Sequence, residues 1–216
     1  MNPHLEFLLS RVFDDDRLHP EHLSDLRSSG LTDATITLQK IRSVPPHMID
    51  LILGFPAPKV MSAYVIPFAD PAGKWTPHVR MRIFPAYRDM NGRLVKYLGP
   101  RGGTPRLFFA LATIGAALHG HEPLWLVEGA KKALAVAQLG LPAVGFEGIE
   151  GLHTAGSRDL LPDFSLVAMD RVVELVPDGD VKTKDAVRRG TERLAAALAR
   201  VGARPRLVAL PAEVAA

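Results

Sequence analysis

The sequence predicts an α/β protein, a parallel sheet flanked by helices and preceded by a smaller mixed α/β N-terminal segment. Two observations carry this. After residue 120, the short apolar runs "LWLV" (124–127), "PAVGF" (142–146), "RVVELV" (171–176) and "RLVAL" (206–210) alternate with stretches of helical periodicity. Strands that alternate with helices close a parallel sheet through right-handed crossovers. Before residue 120, the turn signals "DPAGK" and "DMNGR" separate "SAYVIPF", "HVRMRIF" and "RLVKYL", which is the pattern of a small antiparallel sheet. The change of character draws a boundary between residues 1–120 and residues 121–216.

The elements follow in order. Residues 19–40, "HPEHLSDLRSSGLTDATITLQK", predict two short helices joined at "SSGLT", with Gly30 closing the first and Thr32 capping the second. Pro45, Pro46, Pro56 and Pro58 predict irregular structure between these helices and the antiparallel strands. In "AKKALAVAQLG", Ala130, Ala133, Leu134 and Ala137 share one helical face and Gly140 ends the helix. In "KDAVRRGTERLAAALARVG", Val187, Thr191, Leu194, Ala195, Leu198 and Val201 do the same, with Gly202 as the stop.

Composition narrows the function classes. Of the 216 residues, 47% are hydrophobic and 23% charged, as in ordinary globular proteins. No apolar run approaches the roughly 20 residues of a membrane span. The N-terminus "MNPHLEFLLSRVFDDD" carries acids where a signal peptide carries a basic start. A cytoplasmic protein with no membrane partner is therefore expected. The absence of cysteine excludes disulfides and cysteine-ligated zinc. The formal charge of +3 is modest, but its distribution is uneven. Lys74, Arg80, Arg82, Arg88, Arg93, Lys96, Arg101 and Arg106 face only Asp89, with Trp75, Tyr87 and Tyr97 interleaved. Such a stretch reads equally as a solvated basic face or as a surface for single-stranded nucleic acid.

The candidate chemistry lies at strand ends. In open α/β sheets, sites form beyond the carboxyl ends of the strands. Glu128 follows "LWLV", and Asp178 and Asp180 follow "RVVELV". Asp178-Gly179-Asp180 read alone is a polar turn of the kind that joins strand to helix. If the Glu128 strand is its neighbour in the sheet, the turn becomes one half of a carboxylate cluster. Crowded carboxylates repel unless a cation or a shared proton intervenes. Three hard oxygen donors without cysteine suit Mg²⁺ or Mn²⁺ rather than zinc. Magnesium is commonly completed by substrate phosphates, which points toward phosphoryl transfer.

The order of motifs resembles a known family. "LWLVEGAKKALAVAQLGLPAVGFEGIEGL", followed by "VVELVPDGDVKTKDAVRRGTERLAAAL", looks like a Toprim domain, the fold shared by bacterial-type primases, topoisomerases and some nucleases. Its pattern is one strand ending in Glu-Gly and a later strand ending in Asp-x-Asp, matched here by Glu128, Asp178 and Asp180. "VKYLGPRGGTPRLFFA" (95–110) resembles the stretch before the Toprim strand in bacterial primases. The run from "EHLSDLRSSGLTDATI" to "YVIPFADPAGK" resembles primase-like domains carried by plasmids and phages. The similarity spans roughly residues 18–211. Pro177 stands where the family has an apolar or aromatic residue.

The resemblance implies a primase-like nucleotidyltransferase that makes primers on single-stranded DNA in plasmid- or phage-type replication. In it, Glu128, Asp178 and Asp180 hold Mg²⁺ (or Mn²⁺) and Glu128 assists proton transfer. Arg82, Lys96 and Tyr97 line a basic surface for template or nucleotide phosphates, and Arg80 and Arg101 extend the same stretch. Nucleotides, single-stranded DNA and a replicative helicase, fused or in trans, are the implied partners. The same acids serve a Toprim endonuclease, and a non-catalytic nucleic-acid-binding module with a relic site is the third reading. Lys131 and Lys132 stand in the first helical turn after Glu128, either facing phosphate or simply solvated. Lys182, Lys184, Arg188 and Arg189 pose the same pair of alternatives. His119 and His121 read as a surface loop.

Overall fold

The computed structural model describes residues 3–148, 152, 160–177 and 185–208, the side chains of 185–187 apart. The chain divides into two compact units, Met1–Gly103 and Thr104–Ala216.

The first unit opens with helix α1 (Pro3–Phe13), which buries Leu8, Leu9 and Val12 on one face. Helices α2 (Pro20–Ser28) and α3 (Asp33–Leu38) are the pair expected from the sequence. Gly30 adopts φ 78°, a left-handed conformation open to glycine at little cost. The Thr32 hydroxyl accepts the Thr35 N–H at 3.3 Å, capping α3. Strand β1 (Arg42–Val44) follows. The proline-rich stretch is not wholly irregular: a 3₁₀ turn at Pro46–Met48 leads into helix α4 (Ile49–Leu53). Ile49, Ile52 and Leu53 are buried there, and that burial sustains a helix too short to be stable by local propensity.

Strands β2 (Ser62–Ala69), β3 (Trp75–Arg88) and β4 (Leu94–Leu98) complete an antiparallel sheet of order β1-β2-β3-β4. Both turns close as the sequence predicts, by Asp70 N–H to Lys74 O and Asp89 N–H to Arg93 O. The sheet has two different faces. Ala63, Val65, Val79, Met81 and Ile83 join the apolar cluster formed with α1 and α4. Tyr64, Arg80 and Arg82 alternate with them and lie on the other face.

In the second unit the five strands run in the order β5-β7-β6-β8-β9: β5 (Phe108–Phe109), β6 (Leu124–Glu128), β7 (Ala143–Phe146), β8 (Val172–Val176) and β9 (Arg204–Leu207). Strands β6, β7, β8 and β9 pair in parallel, as the alternating pattern requires, while β5 adds an antiparallel edge beside β7. Helices α5 (Ile114–His119), α6 (Ala130–Ala137), α7 (Asp163–Ala168) and α8 (Asp185–Arg200) accompany the strands. The sequence draws its boundary at residue 120, where alternation becomes visible. The compact units divide after Gly103, because β5 pairs with β7 and α5 packs in the same core.

That core gathers Leu124 and Leu126 of β6, Val144 and Phe146 of β7, Val173 and Leu175 of β8, Phe164 and Val167 of α7, and Leu194 and Leu198 of α8. Gly145 is required by packing, since a Cβ there would lie 3.1 Å from the Phe108 Cβ and 3.2 Å from the Ala133 Cβ. Among the described residues, no helix is long and apolar enough to cross a membrane.

Arg171, just ahead of β8, is 6% exposed and serves as the carboxyl-terminal cap of α5. Its guanidinium donates to the carbonyls of Ala116 (2.8 Å), Ala117 (2.6 Å) and Glu122 (2.5 Å). The Ala116 and Ala117 carbonyls lie in the last turn of α5, where Ala116 also accepts the Gly120 N–H, and the Glu122 carbonyl lies just beyond the helix. Arg171→Leu is expected to lower unfolding stability by about 3 kcal/mol, read as a drop in the urea midpoint. Arg171→Lys should recover part of that loss, and an unchanged midpoint in Arg171→Leu would refute the capping role.

Candidate functional site

Two groups of residues carry chemistry, one in each unit. In the second unit, Glu128 is the last residue of β6, in register with Phe146 of β7. Gly129 follows with φ 92° and donates its N–H to the Phe146 carbonyl at 2.9 Å, and α6 begins at Ala130. A side chain at Gly129 would be strained by that φ, although nothing among the described residues lies within 4 Å of its Cβ direction. Glycine therefore lets the chain turn sharply directly after Glu128. The Glu128 Oε1 lies 3.9 Å from the Cβ position of Gly148, another glycine with positive φ. Glu128 is half-buried, Lys131 half-buried and Lys132 exposed.

The condition for a cluster was that the Glu128 strand and the "RVVELV" strand be neighbours. They are: β6 and β8 pair in parallel from Leu124↔Val173 to Val127↔Val176. The strand that leads into Asp178 and Asp180 thus ends one residue short of Glu128, at the same edge of the sheet. Asp178 and Asp180 themselves, with Lys182 and Lys184, lie outside the described residues. Among the described residues, no three acids or histidines are grouped to hold a metal ion. Arg188 and Arg189 are exposed on α8, and His119 and His121 are exposed at and beyond the end of α5. One further acid on β8, Glu174, is ion-paired to Arg206 of β9 on the sheet face, two residues short of the strand's end.

In the first unit, the basic stretch is sorted by the sheet. Tyr64, Arg82 and Tyr97 stand side by side across β2, β3 and β4 in the register Tyr64↔Arg82 and Arg82↔Tyr97. The Arg82 guanidinium donates to Asp25 Oδ1 at 3.4 Å and to the carbonyls of Ile83 (2.9 Å) and Lys96 (3.4 Å). It also lies 4.5 Å from the Phe84 ring centroid and 5.6 Å from that of Tyr97, within cation–π range. Its side chain is only 14% exposed. Arg80, two residues earlier, shares this face, and its Nη1 would lie 3.1 Å from a Cβ on Gly99, so glycine makes room for the guanidinium. Lys96 and Arg101 are exposed. Successive strand residues alternate faces, so Lys96 leaves β4 on the side opposite to Tyr97. The basic residues therefore do not form one uniform surface.

Sequence reasoning missed the acidic partner of this group. Asp25, on α2, accepts the Tyr64 hydroxyl at 2.7 Å as well as Arg82. Beside it His22 is buried, with Nδ1 2.7 Å from Ser43 Oγ, Nε2 3.2 Å from Ser62 Oγ and its ring stacked on Phe84 at 5.0 Å. Burial pushes the His22 pKa down. One signal was present: a tyrosine inside the apolar strand "SAYVIPF" needs a hydrogen-bond partner when buried.

The fold has counterparts among known structures. The family model described as a domain of unknown function, DUF3854, matches residues 117–215. No curated protein matches in sequence. Among solved structures, the Aquifex aeolicus primase, represented by its zinc-binding and RNA polymerase domains, superposes with a TM-score of 0.68 and 18% identity over 96% of this chain. The chain spans 55% of the length of that structure. The DnaG catalytic core follows with a TM-score of 0.64, 19% identity and coverage of 97% of this chain and 71% of that one. The DnaG primase catalytic domain bound to ssDNA gives 0.56 and 20%, covering 97% of this chain and 75% of that one. At these identities the likeness establishes the fold: a mixed α/β chain with the architecture of a primase catalytic core.

Burial pushes the Tyr97 phenol up to about 12, with Arg82 opposing the shift and Asp25 adding to it. The neutral phenol is then favoured in the folded state, so folding stability falls as pH rises from tyrosine's ordinary value of about 10 toward 12. The tyrosinate absorbance difference near 295 nm between the native chain and Tyr97→Phe should emerge only near pH 12. A difference already complete at pH 10.5 would show that Tyr97 is solvated.

Proposed function

We propose that the chain performs metal-dependent nucleotidyl transfer on nucleic acid, as primer synthesis on single-stranded DNA in plasmid- or phage-type replication. The observation that carries this reading is the β6–β8 pairing, which ends the strand leading to Asp178 and Asp180 beside Glu128. The fold, that of a primase catalytic core, supports it.

The residues suit Mg²⁺ or Mn²⁺. The candidate ligands Glu128, Asp178 and Asp180 offer only hard carboxylate oxygens. When bound, such an ion neutralises charge on nucleotide phosphates and on the departing pyrophosphate. In this reading Glu128 also accepts the proton of the attacking 3′-hydroxyl, a role its place at the strand end allows. Lys131 and Lys132, in the first turn of α6, supply positive charge near the same strand end. In the first unit, Arg80 and Arg101 hold the phosphates of single-stranded DNA and Arg82 supports Tyr97 as a stacking platform, while Lys96, on the other side of the edge strand β4, holds phosphate where the DNA passes round that edge. Nucleotides are the second substrate, and a replicative helicase, fused or in trans, is the proposed partner.

The test is to incubate the purified chain with labelled single-stranded DNA, nucleoside triphosphates and Mg²⁺. Products longer than the substrate, or new short primers that depend on all four nucleotides, support the reading. Shortened DNA in the absence of nucleotides replaces it with a nuclease. Glu128→Gln is expected to reduce product formation by about 100-fold. Asp178→Ala combined with Asp180→Ala should abolish Mn²⁺ binding, and retention of both metal binding and activity in that variant would overturn the site.

A further inference from the structure

The geometry points to Asp25 as a positioning residue for nucleic-acid binding: it holds Arg82 beneath the Tyr97 ring, so that Arg82 supports a base-stacking platform rather than contacting phosphate. This deepens the proposed single-strand binding of the first unit and rests on that reading.

Four observations lead to it. Asp25 takes two donors at once, the Tyr64 hydroxyl at 2.7 Å and the Arg82 guanidinium at 3.4 Å. Both partners are strand residues in direct register, on β2 and β3, so one carboxylate from α2 clamps adjacent strands. Arg82 is the centre of the row, with Tyr64 on one side and Tyr97 on the other, and its plane lies within cation–π distance of Phe84 and Tyr97. Finally, exposure separates the members: the Asp25 and Arg82 side chains are 20% and 14% exposed, whereas Tyr97 is 37% exposed. The charged pair lies inside, and Tyr97 is partly exposed with its phenol end buried.

The consequence for binding follows from charge. A guanidinium already paired with a carboxylate and donating to two carbonyls has little left for a phosphate. Tyr97, by contrast, presents the exposed part of its ring above a fixed underside. Base–aromatic stacking contributes about 1–3 kcal/mol per base, and it depends on the ring being held in one orientation. β4 is the edge strand of its sheet, with no further strand beyond it to hold Tyr97 in place. The Asp25–Arg82 pair braces the ring from below, together with the Tyr64 hydroxyl that is hydrogen-bonded to the Tyr97 side chain.

This inference makes a prediction opposite in sign to simple electrostatics. Asp25→Asn removes a negative charge, which by Coulombic repulsion alone would tighten binding of an anionic strand. If Asp25 positions the platform, the same substitution weakens binding.

The experiment is fluorescence anisotropy of labelled oligo(dT) with the full chain at several salt concentrations, with far-UV circular dichroism confirming that each variant is folded. Tyr97→Ala and Asp25→Asn should each weaken binding about tenfold, and Asp25→Glu should restore part of the loss. In the Tyr97→Ala background, Asp25→Asn should add nothing further. Arg82→Gln should weaken binding without changing the salt slope, whereas Lys96→Ala should reduce the slope by about 0.7. Equal or tighter binding by folded Asp25→Asn, alongside weakened Tyr97→Ala, overturns the positioning role while leaving single-strand binding intact. Absence of binding by the native chain, or full binding by Tyr97→Ala, overturns the underlying reading and this inference with it. Should Asp25→Asn fail to fold, the salt slope of Arg82→Gln decides: a reduction by about 0.7 makes Arg82 a phosphate contact and sinks the proposal.

Discussion

The parallel pairing of β6 with β8 is the constraint on which the second unit depends. Leu124 and Leu126 on one strand, and Val173 and Leu175 on the other, point into one apolar core. Burying each such side chain contributes about 1.5–3 kcal/mol. A slip of one residue would turn all of one strand's side chains to the opposite face. On β8 it would drive Glu174 into that core and break its pairing with Arg206. Register is thus set by hydrophobic burial far from any chemistry. Once it is set, Glu128 and the exit of β8 have no freedom to separate.

The first unit meets a different demand. One face of its sheet is dry, built from Ala63, Val65, Val79, Met81 and Ile83 against α1 and α4. The other carries His22, Asp25, Tyr64 and Arg82 in close contact. Buried polar groups are costly when unsatisfied and specific when satisfied. A helix carrying a carboxylate at one position, and a histidine one turn earlier, docks on these strands in one register only. Polar complementarity here selects the docking of α2 as apolar packing selects that of α1.

Much of this was legible in the sequence where the signal is local. The strands "LWLV" and "RVVELV", the helix closed by Gly140 and the turns at "DPAGK" and "DMNGR" each carry their own period or stop signal, and each forms. Phe108–Phe109 does not announce itself as a strand, because two residues have no period; it pairs with β7 at Gly145, where a side chain would crowd it. Helix α4 was hidden by the prolines around it, and α7 by its shortness. At the candidate site, Glu128 was identifiable as the acid ending an apolar run. The grouping of Asp25 with Arg82 was not, since 57 residues separate them and only the sheet's register brings them together. The sequence sees a run of cations; the fold separates Arg82, which is spent on Asp25, from Lys96 and Arg101, which face solvent.

Arg171 gives β8 a property that neither its length nor its composition conveys. By gripping three carbonyls around the end of α5, it anchors the strand at its amino end. From there the chain runs through Val172–Val176 at about 3.3 Å per residue, roughly 17 Å in all. The strand acts as a ruler: one end is nailed to a helix terminus, and the other delivers the chain to the sheet edge beside Glu128. Insertion or deletion of a single residue between Arg171 and Val176 would leave both ends' interactions chemically intact while making them geometrically incompatible. In this strand the number of residues is as much a structural constraint as their identity.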